Sequence, residues 1–184
     1  MMAGGAALER TTFRTSRLLE FCSRKELVAQ TGHEPDAWPL VVLKELVDNA
    51  LDACEEAGIA PEIRIKLTHS SITVTDNGRG IAPETVASIL DFTTRTSSRE
   101  AYVSPTRGAQ GNALKTILAM PFVLDGEAGR VGIISRGIRH KITFKIDQIR
   151  QQPVIEQARQ EVTRHVRNGT SITVAWPVSA FAQL

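Results

Sequence analysis

Leu43-Lys44-Glu45-Leu46-Val47-Asp48-Asn49-Ala50-Leu51-Asp52-Ala53 is the stretch that decides the fold of this chain. Leu43, Leu46, Val47, Ala50, Leu51 and Cys54 recur at intervals of three and four, the period of a helical face, while Glu45, Asn49 and Asp52 recur at four and three elsewhere on the same cylinder. At roughly 100° per residue, the three polar positions fall within an arc of about 60° opposite the apolar stripe. One face packs; the other presents a carboxylate, an amide and a second carboxylate. A solvated helix face would carry the same pattern, although Asn is a poor choice inside a helix. Asp36 is placed to cap the helix, Pro39 is tolerated in its first turn and Gly58 supplies a stop, which predicts a helix over residues 37–57.

Upstream, Ser23-Arg24-Lys25-Glu26 has the spacing of a capping box and opens a short helix that Gly32 closes. Residues 1–16 are expected to be a flexible tail and residues 17–184 a single domain. Downstream, residues 62–68 and 71–76 alternate around His69-Ser70, the pattern of a hairpin. A brief helix over 83–90, a long loop over 91–107 and a helix over 110–120 follow. Strands are expected at 131–135, 139–146, 154–162 and 171–175, broken at Gly126, Gly129, Gly137 and Gly169. Helices early and strands late predict an α+β, two-layer sandwich, with helices on one face of a mixed, mostly antiparallel sheet.

Composition narrows the function classes. At 184 residues and 42% hydrophobic content the chain can bury a core, and a net charge of +2 does not announce a nucleic-acid or membrane surface. No apolar stretch approaches the roughly 20 residues of a spanning helix, and residues 1–8 lack the basic start and apolar run of an export signal. Cys22 and Cys54 fit no metal spacing and read as reduced thiols, so the expected compartment is the cytoplasm, with no membrane partner. His33, His69, His140 and His165 are scattered and are expected on the surface or in loops. Arg136, Arg139, His140 and Lys141, and Arg164, His165 and Arg167, form two basic clusters of the kind that usually edge a solvated surface. Trp38 and Trp176 are expected to pack, and 5% aromatic content offers no stacking platform for single strands.

Two further segments carry chemistry. Asp76-Asn77-Gly78-Arg79-Gly80 begins where the run through Ile72 and Val74 ends, so Asp76 continues the inward register. A carboxylate there needs a donor. The exocyclic amine of adenine is one, and glycines let backbone approach a flat ring; an Asn-Gly turn with a capping Asp is the plainer alternative. Arg107-Gly108-Ala109-Gln110-Gly111-Asn112-Ala113-Leu114-Lys115 is a glycine-containing loop entering a helix, where free amides attract phosphate and Lys115 can add a point charge, unless it is simply a surface lysine. No Gly-Lys-Ser or Gly-Lys-Thr occurs, which excludes a P-loop.

Taken in order, these segments resemble the motifs of the GHKL ATPases. Residues 43–53 look like the family's N box, 76–81 like its first glycine motif, 107–115 like its second, and Gly169-Thr170 like its third. The resemblance implies a Bergerat-type fold holding ATP and Mg²⁺ between helices and sheet under a lid. It implies Glu45 as the general base, Asn49 as the Mg²⁺ ligand, and Asp76 as acceptor for the adenine amine with Thr170 in support. Gly78, Gly80 and Ile81 would shape the pocket wall, and Arg107, Gly108, Gly111, Asn112, Ala113 and Lys115 the phosphate-facing lid; Asp52 matches the N box in a structural role. Ser97-Ser98-Arg99 and Thr106-Arg107-Gly108 are most similar to the ATP-binding component of type IIB topoisomerases, the B subunit of topoisomerase VI, while Gly108 to Ile117 also resembles the MutL lid. Asn112 and Ala113 depart from the topoisomerase pattern, which continues with glycine.

The resemblance implies ATP hydrolysis that drives conformational change or nucleotide-dependent homodimerisation in a DNA-processing machine, with DNA and a DNA-cleaving subunit as partners. The family's topoisomerase and MutL members complete their site with a lysine from a following transducer domain; with Leu184 ending the chain, the expectation is ATP binding with slow turnover. A non-catalytic nucleotide-binding or interaction module, and a kinase-like phosphotransfer domain, are the alternatives. Glu45 favours hydrolysis, since a mere binder needs no water-activating carboxylate.

Overall fold

Residues 23–90, 113–147, 149, 152–162, 168–177 and 180 are described by the computed structural model. Helix α1 (Arg24–Thr31) begins where Ser23 Oγ accepts the Glu26 N–H at 3.2 Å, the Ser half of the expected capping box, and ends at Gly32. A 3-10 turn, Pro35–Ala37, then leads into α2 (Trp38–Ala57). Asp36 lies inside that turn and does not cap α2: the N-cap is Ala37, which makes no side-chain bond. The entry is fixed instead by Trp38, fully buried, whose Nε1 donates to the His33 carbonyl at 2.9 Å. At the other end the Gly58 N–H closes onto the Glu55 carbonyl at 3.0 Å.

Strands β1 (Arg64–Thr68) and β2 (Ser71–Thr75) form the expected hairpin, and α3 (Pro83–Ile89) and α4 (Ala113–Asp125) follow. Helix α4 runs past its expected end at 120, through Pro121, because the segment around the proline is buried against the sheet and that packing outweighs one missing hydrogen bond. Strands β3 (Gly129–Ser135), β4 (Ile138–Asp147), β5 (Gln152–Glu161) and β6 (Thr170–Ala175) complete a sheet of order β1-β2-β6-β3-β4-β5. Among the described residues every pairing is antiparallel, the character expected for most of the sheet.

One sheet face is the core. Ile72, Val74, Val131, Ile133, Ile142, Phe144, Ile172 and Val174 alternate inward and are buried under the helices. Phe122 of α4 meets Phe144 edge-on, with centroids 5.2 Å apart. Helix α2 buries Val42, Leu46, Ala50 and Cys54, a line at strict spacing of four, while Leu43, Val47 and Leu51 are only partly covered. The packed face is thus rotated from the expected stripe, and Glu45, Asn49 and Asp52 flank the buried line instead of opposing it. Asp52 is itself buried.

His140 also departs from expectation. It lies in β4 on the core face and is fully buried, while His33 and His69 are exposed as expected. Both tryptophans are buried. Among the described residues no helix is long and apolar enough to cross a membrane.

Candidate functional site

Inserting β6 between β2 and β3 brings three strand ends together, and each places a polar residue in the inward register. Asp76 continues Ile72 and Val74, Ser135 continues Val131 and Ile133, and Thr170 precedes Ile172 and Val174; all three are buried. The Asp76 carboxylate, through Oδ1, accepts the N–H groups of Gly78 at 2.8 Å and Thr170 at 3.2 Å, and the Asp76 N–H donates to the Thr170 carbonyl at 2.9 Å. Burial demands such donors. Ser135 Oγ accepts the Ile81 N–H at 2.7 Å, donates to the Gly169 carbonyl at 3.0 Å and lies 3.4 Å from Thr170 Oγ1.

The glycines are set by close approach. A Cβ on Gly169, whose φ is +95°, would stand 1.9 Å from the Asp76 carbonyl oxygen. On Gly80, with φ +75°, it would stand 2.8 Å from Ser135 Oγ. On Gly78 it would stand 2.9 Å from the Ala53 Cβ, so the loop after β2 presses directly on α2.

Asn77 ties the same loop to its surroundings. Its Oδ1 accepts the Glu62 N–H at 2.9 Å and the Cys54 thiol at 3.1 Å, and its Nδ2 donates to the Ala60 carbonyl at 3.1 Å. Burial pushes the Cys54 thiol up, with the nearby Asp76 charge adding to it. Sequence reasoning missed both Asn77 and Ser135. The signal for Ser135 was the one that found Asp76, a polar residue in phase with buried neighbours at a strand end; nothing in the sequence marks Asn77 beyond its Asn-Gly pair.

The Gly78 contact at Ala53 also fixes the second half of the site. Asn49 and Glu45 lie one and two turns earlier on α2, about 6 and 12 Å along its axis. Asn49 Nδ2 donates to the Glu45 carbonyl at 2.8 Å, which commits the amide nitrogen and leaves the oxygen as its acceptor end. The Glu45 carboxyl is pushed up, chiefly by burial, with Lys44 opposing and Asp48 reinforcing the rise. Lys44 is itself engaged with Asp48 at 2.6 Å.

The structure therefore joins Asp76, Gly78, Gly80, Ile81 and Thr170, with Asn49 and Glu45 on the adjoining helix. Arg107, Gly108, Gly111 and Asn112 lie outside the described residues. Ala113 opens α4 and Lys115 lies in its first turn, with the side chains of both outside the described set. Among the described residues no three His, Cys, Asp or Glu side chains gather to hold a metal by themselves.

Residues 37–180 match the family described as histidine kinase-, DNA gyrase B-, and HSP90-like ATPase, a span that holds all of these residues. The chain is 32% identical over 142 residues to the B subunit of type 2 DNA topoisomerase 6 from Archaeoglobus fulgidus, covering 72% of this chain and 23% of that one. It is 34% identical over 153 residues to the protein of the same name from Natronomonas pharaonis, covering 77% and 18%. It thus spans about a fifth of the length of these relatives. A solved structure of the ATPase and transducer domains of DNA topoisomerase II from Balamuthia mandrillaris is similar at TM-score 0.48 and 20% identity, covering 78% of this chain and 38% of that one.

Proposed function

The chain belongs to the histidine kinase-, DNA gyrase B- and HSP90-like ATPase family, and from that premise we propose that it binds Mg²⁺-ATP between α2 and the turn after β2 and hydrolyses it. The observation that carries this reading is the buried Asp76 carboxylate, aimed by two backbone donors and walled by glycines, with an amide and a carboxyl one and two helical turns away. In it, Asp76 accepts the adenine amine and Thr170 holds Asp76 in register. Gly78, Gly80 and Ile81 form the wall, with Ser135 pinning Ile81. About 12 Å of helix separates the adenine end from Glu45, the reach of an extended nucleotide.

At the phosphate end, the amide oxygen of Asn49 is a hard donor suited to Mg²⁺, which takes few protein oxygens and keeps the rest of its shell for water and phosphate. Bound Mg²⁺ would supply charge neutralisation for the phosphate oxygens. Glu45 orients the attacking water and takes its proton; a carboxyl raised by burial is a stronger base than an exposed one. Arg107, Gly108, Gly111, Asn112, Ala113 and Lys115 would close over the phosphates at the start of α4.

The resemblance of its motifs, supported by relatives named as the B subunit of a DNA topoisomerase, extends the proposal: the domain's nucleotide state drives dimerisation or conformational change in a topoisomerase-like machine, with a DNA-cleaving subunit and DNA as partners. The test is calorimetric titration with a non-hydrolysable ATP analogue, with and without Mg²⁺, of the native chain, Asp76→Ala and Asn49→Ala. Mg²⁺-dependent binding lost in both variants supports the site; a native chain that binds nothing sinks it. Labelled γ-phosphate released to water supports hydrolysis, whereas label transferred to protein would show phosphotransfer.

A further inference from the structure

The face of the sheet turned away from the helices has its own chemistry. Strand alternation splits the basic run of residues 136–141: His140 goes into the core, while Arg139 and Lys141 stand on the opposite, outer face. Register adds others to that face. Lys66 shares a cross-strand row with Thr73, Thr173, Gly132 and Lys141; Arg64 shares the next with Thr75, Ser171, Ile134 and Arg139. Arg130 lies in the third row.

Two basic rims result, Arg64 and Lys66 on β1 and Arg130, Arg139 and Lys141 on β3 and β4. From β1 to β4 is four strand spacings, about 19 Å. Between the rims lies a low floor of hydroxyls bonded to one another, Thr73 to Thr173 at 3.0 Å and Thr75 to Ser171 at 2.8 Å, with open space above Gly132. Acidic residues stand at the edges of this face: Glu62 pairs with Arg64 ahead of β1, and Glu156 and Asp147 sit at the far side, where Glu156 is occupied by Lys145 at 3.1 Å. Among the described residues Lys66, Arg130, Arg139 and Lys141 are in no ion pair.

We propose that this outer face seats the backbone of double-stranded DNA, its two rims taking phosphates of the two strands on either side of one groove. The major groove is about 12 Å wide, and rims about 19 Å apart straddle it. The floor of Thr, Ser and Gly with the half-buried Ile134 presents no long polar side chain to base edges, so binding is independent of sequence. No aromatic side chain stands on the outer positions of these strands, which disfavours single strands. The face lies across the sheet from the nucleotide site and does not depend on it.

Fluorescence anisotropy of a short labelled DNA duplex tests this over a range of salt. The native chain is expected to bind with affinity that falls steeply as salt rises, and Arg139→Glu/Lys141→Glu to weaken binding about tenfold or more with a shallower salt slope. Arg24→Glu/Lys25→Glu makes the same charge change on α1 and is expected to bind like the native chain. Equal loss in both doubles, tighter binding of a single strand than of the duplex, or no binding at low salt would overturn the proposal. Unchanged thermal melting of the β4 double shows that loss is not unfolding. Duplex binding in the expected pattern without binding of the ATP analogue would sink the nucleotide reading and leave this face standing.

Discussion

Asp76 and Thr170 hold each other in both directions: the Thr170 N–H donates to the Asp76 carboxylate at 3.2 Å, and the Asp76 N–H donates to the Thr170 carbonyl at 2.9 Å. The side chain proposed to meet adenine is therefore positioned by the last strand of the sheet. Asp76→Asn keeps one oxygen for the backbone donors but sets an amide against the adenine amine. We predict that calorimetry finds binding of the ATP analogue weakened by about tenfold or more, the worth of one charge-assisted hydrogen bond. Thermal melting is expected to fall less than in Asp76→Ala, and undiminished affinity in Asp76→Asn would remove Asp76 from the site.

Glu45→Gln separates catalysis from stability. Phosphate release should fall by at least about a hundredfold with analogue binding kept, since only proton transfer is lost. The folded Glu45 carboxyl is raised, so the folded state holds its proton more tightly than the unfolded chain and stability declines as pH rises through the window above the ordinary glutamate value. Glu45→Gln abolishes that decline and should melt at or above the native temperature at neutral pH. A variant that melts lower and hydrolyses normally would contradict both assignments.

Gly169 and Ser135 lock the site from beneath. Gly169→Ala would drive a Cβ to 1.9 Å from the Asp76 carbonyl at a left-handed φ, and should cost about 3 kcal/mol or more in urea unfolding. Ser135→Ala strands the half-buried Ile81 N–H and the buried Gly169 carbonyl and is expected to cost about 1–3 kcal/mol, with weaker analogue binding because the Ile81 wall loosens. A Gly169→Ala chain of native stability would mean that this approach of backbone to backbone is readily relaxed.

His140 is expected to make the fold acid-sensitive. Its Nδ1 lies 3.0 Å from Gln157 Nε2, its Nε2 is buried without a partner among the described residues, and burial, aided by Arg159, pushes its pKa down. The unfolded chain thus binds the proton more readily, and stability should drop as pH falls from about 6.5, the ordinary histidine value. Melting followed from pH 8 to 5 should show this decline, and His140→Gln should flatten it. The Glu45 contribution runs the other way and is removed by Glu45→Gln, so the two are separable by comparing the variants.

The parts of the fold legible in advance were those set by local chemistry. Spacing of three and four marked α2, alternation marked β2 and β6, and the inward phase of Asp76 was readable because Ile72 and Val74 preceded it. Asp36 failed as a cap because the chain entering α2 is held by the buried Trp38 and its bond to His33, a contact that propensity does not encode. Ser135 went unseen because a lone serine at a strand end signifies little until β6 lies beside it.

By itself, the sequence determined the inward phase of Ile72, Val74 and Asp76, the bounds of α1, α2 and α3 to within a residue or two, and which carboxylates and glycines belong to one family pattern, because all of these follow from backbone geometry over a few neighbouring residues. Only the tertiary structure decided that β6 enters between β2 and β3, joining Thr170 to Asp76 and Ser135 across 94 and 35 residues of chain. It also decided which flank of α2 is buried and that the basic residues around His140 divide between core and outer face. Those outcomes depend on contacts distant in sequence, whose pairing is selected by how the whole sheet and its helices exclude water together.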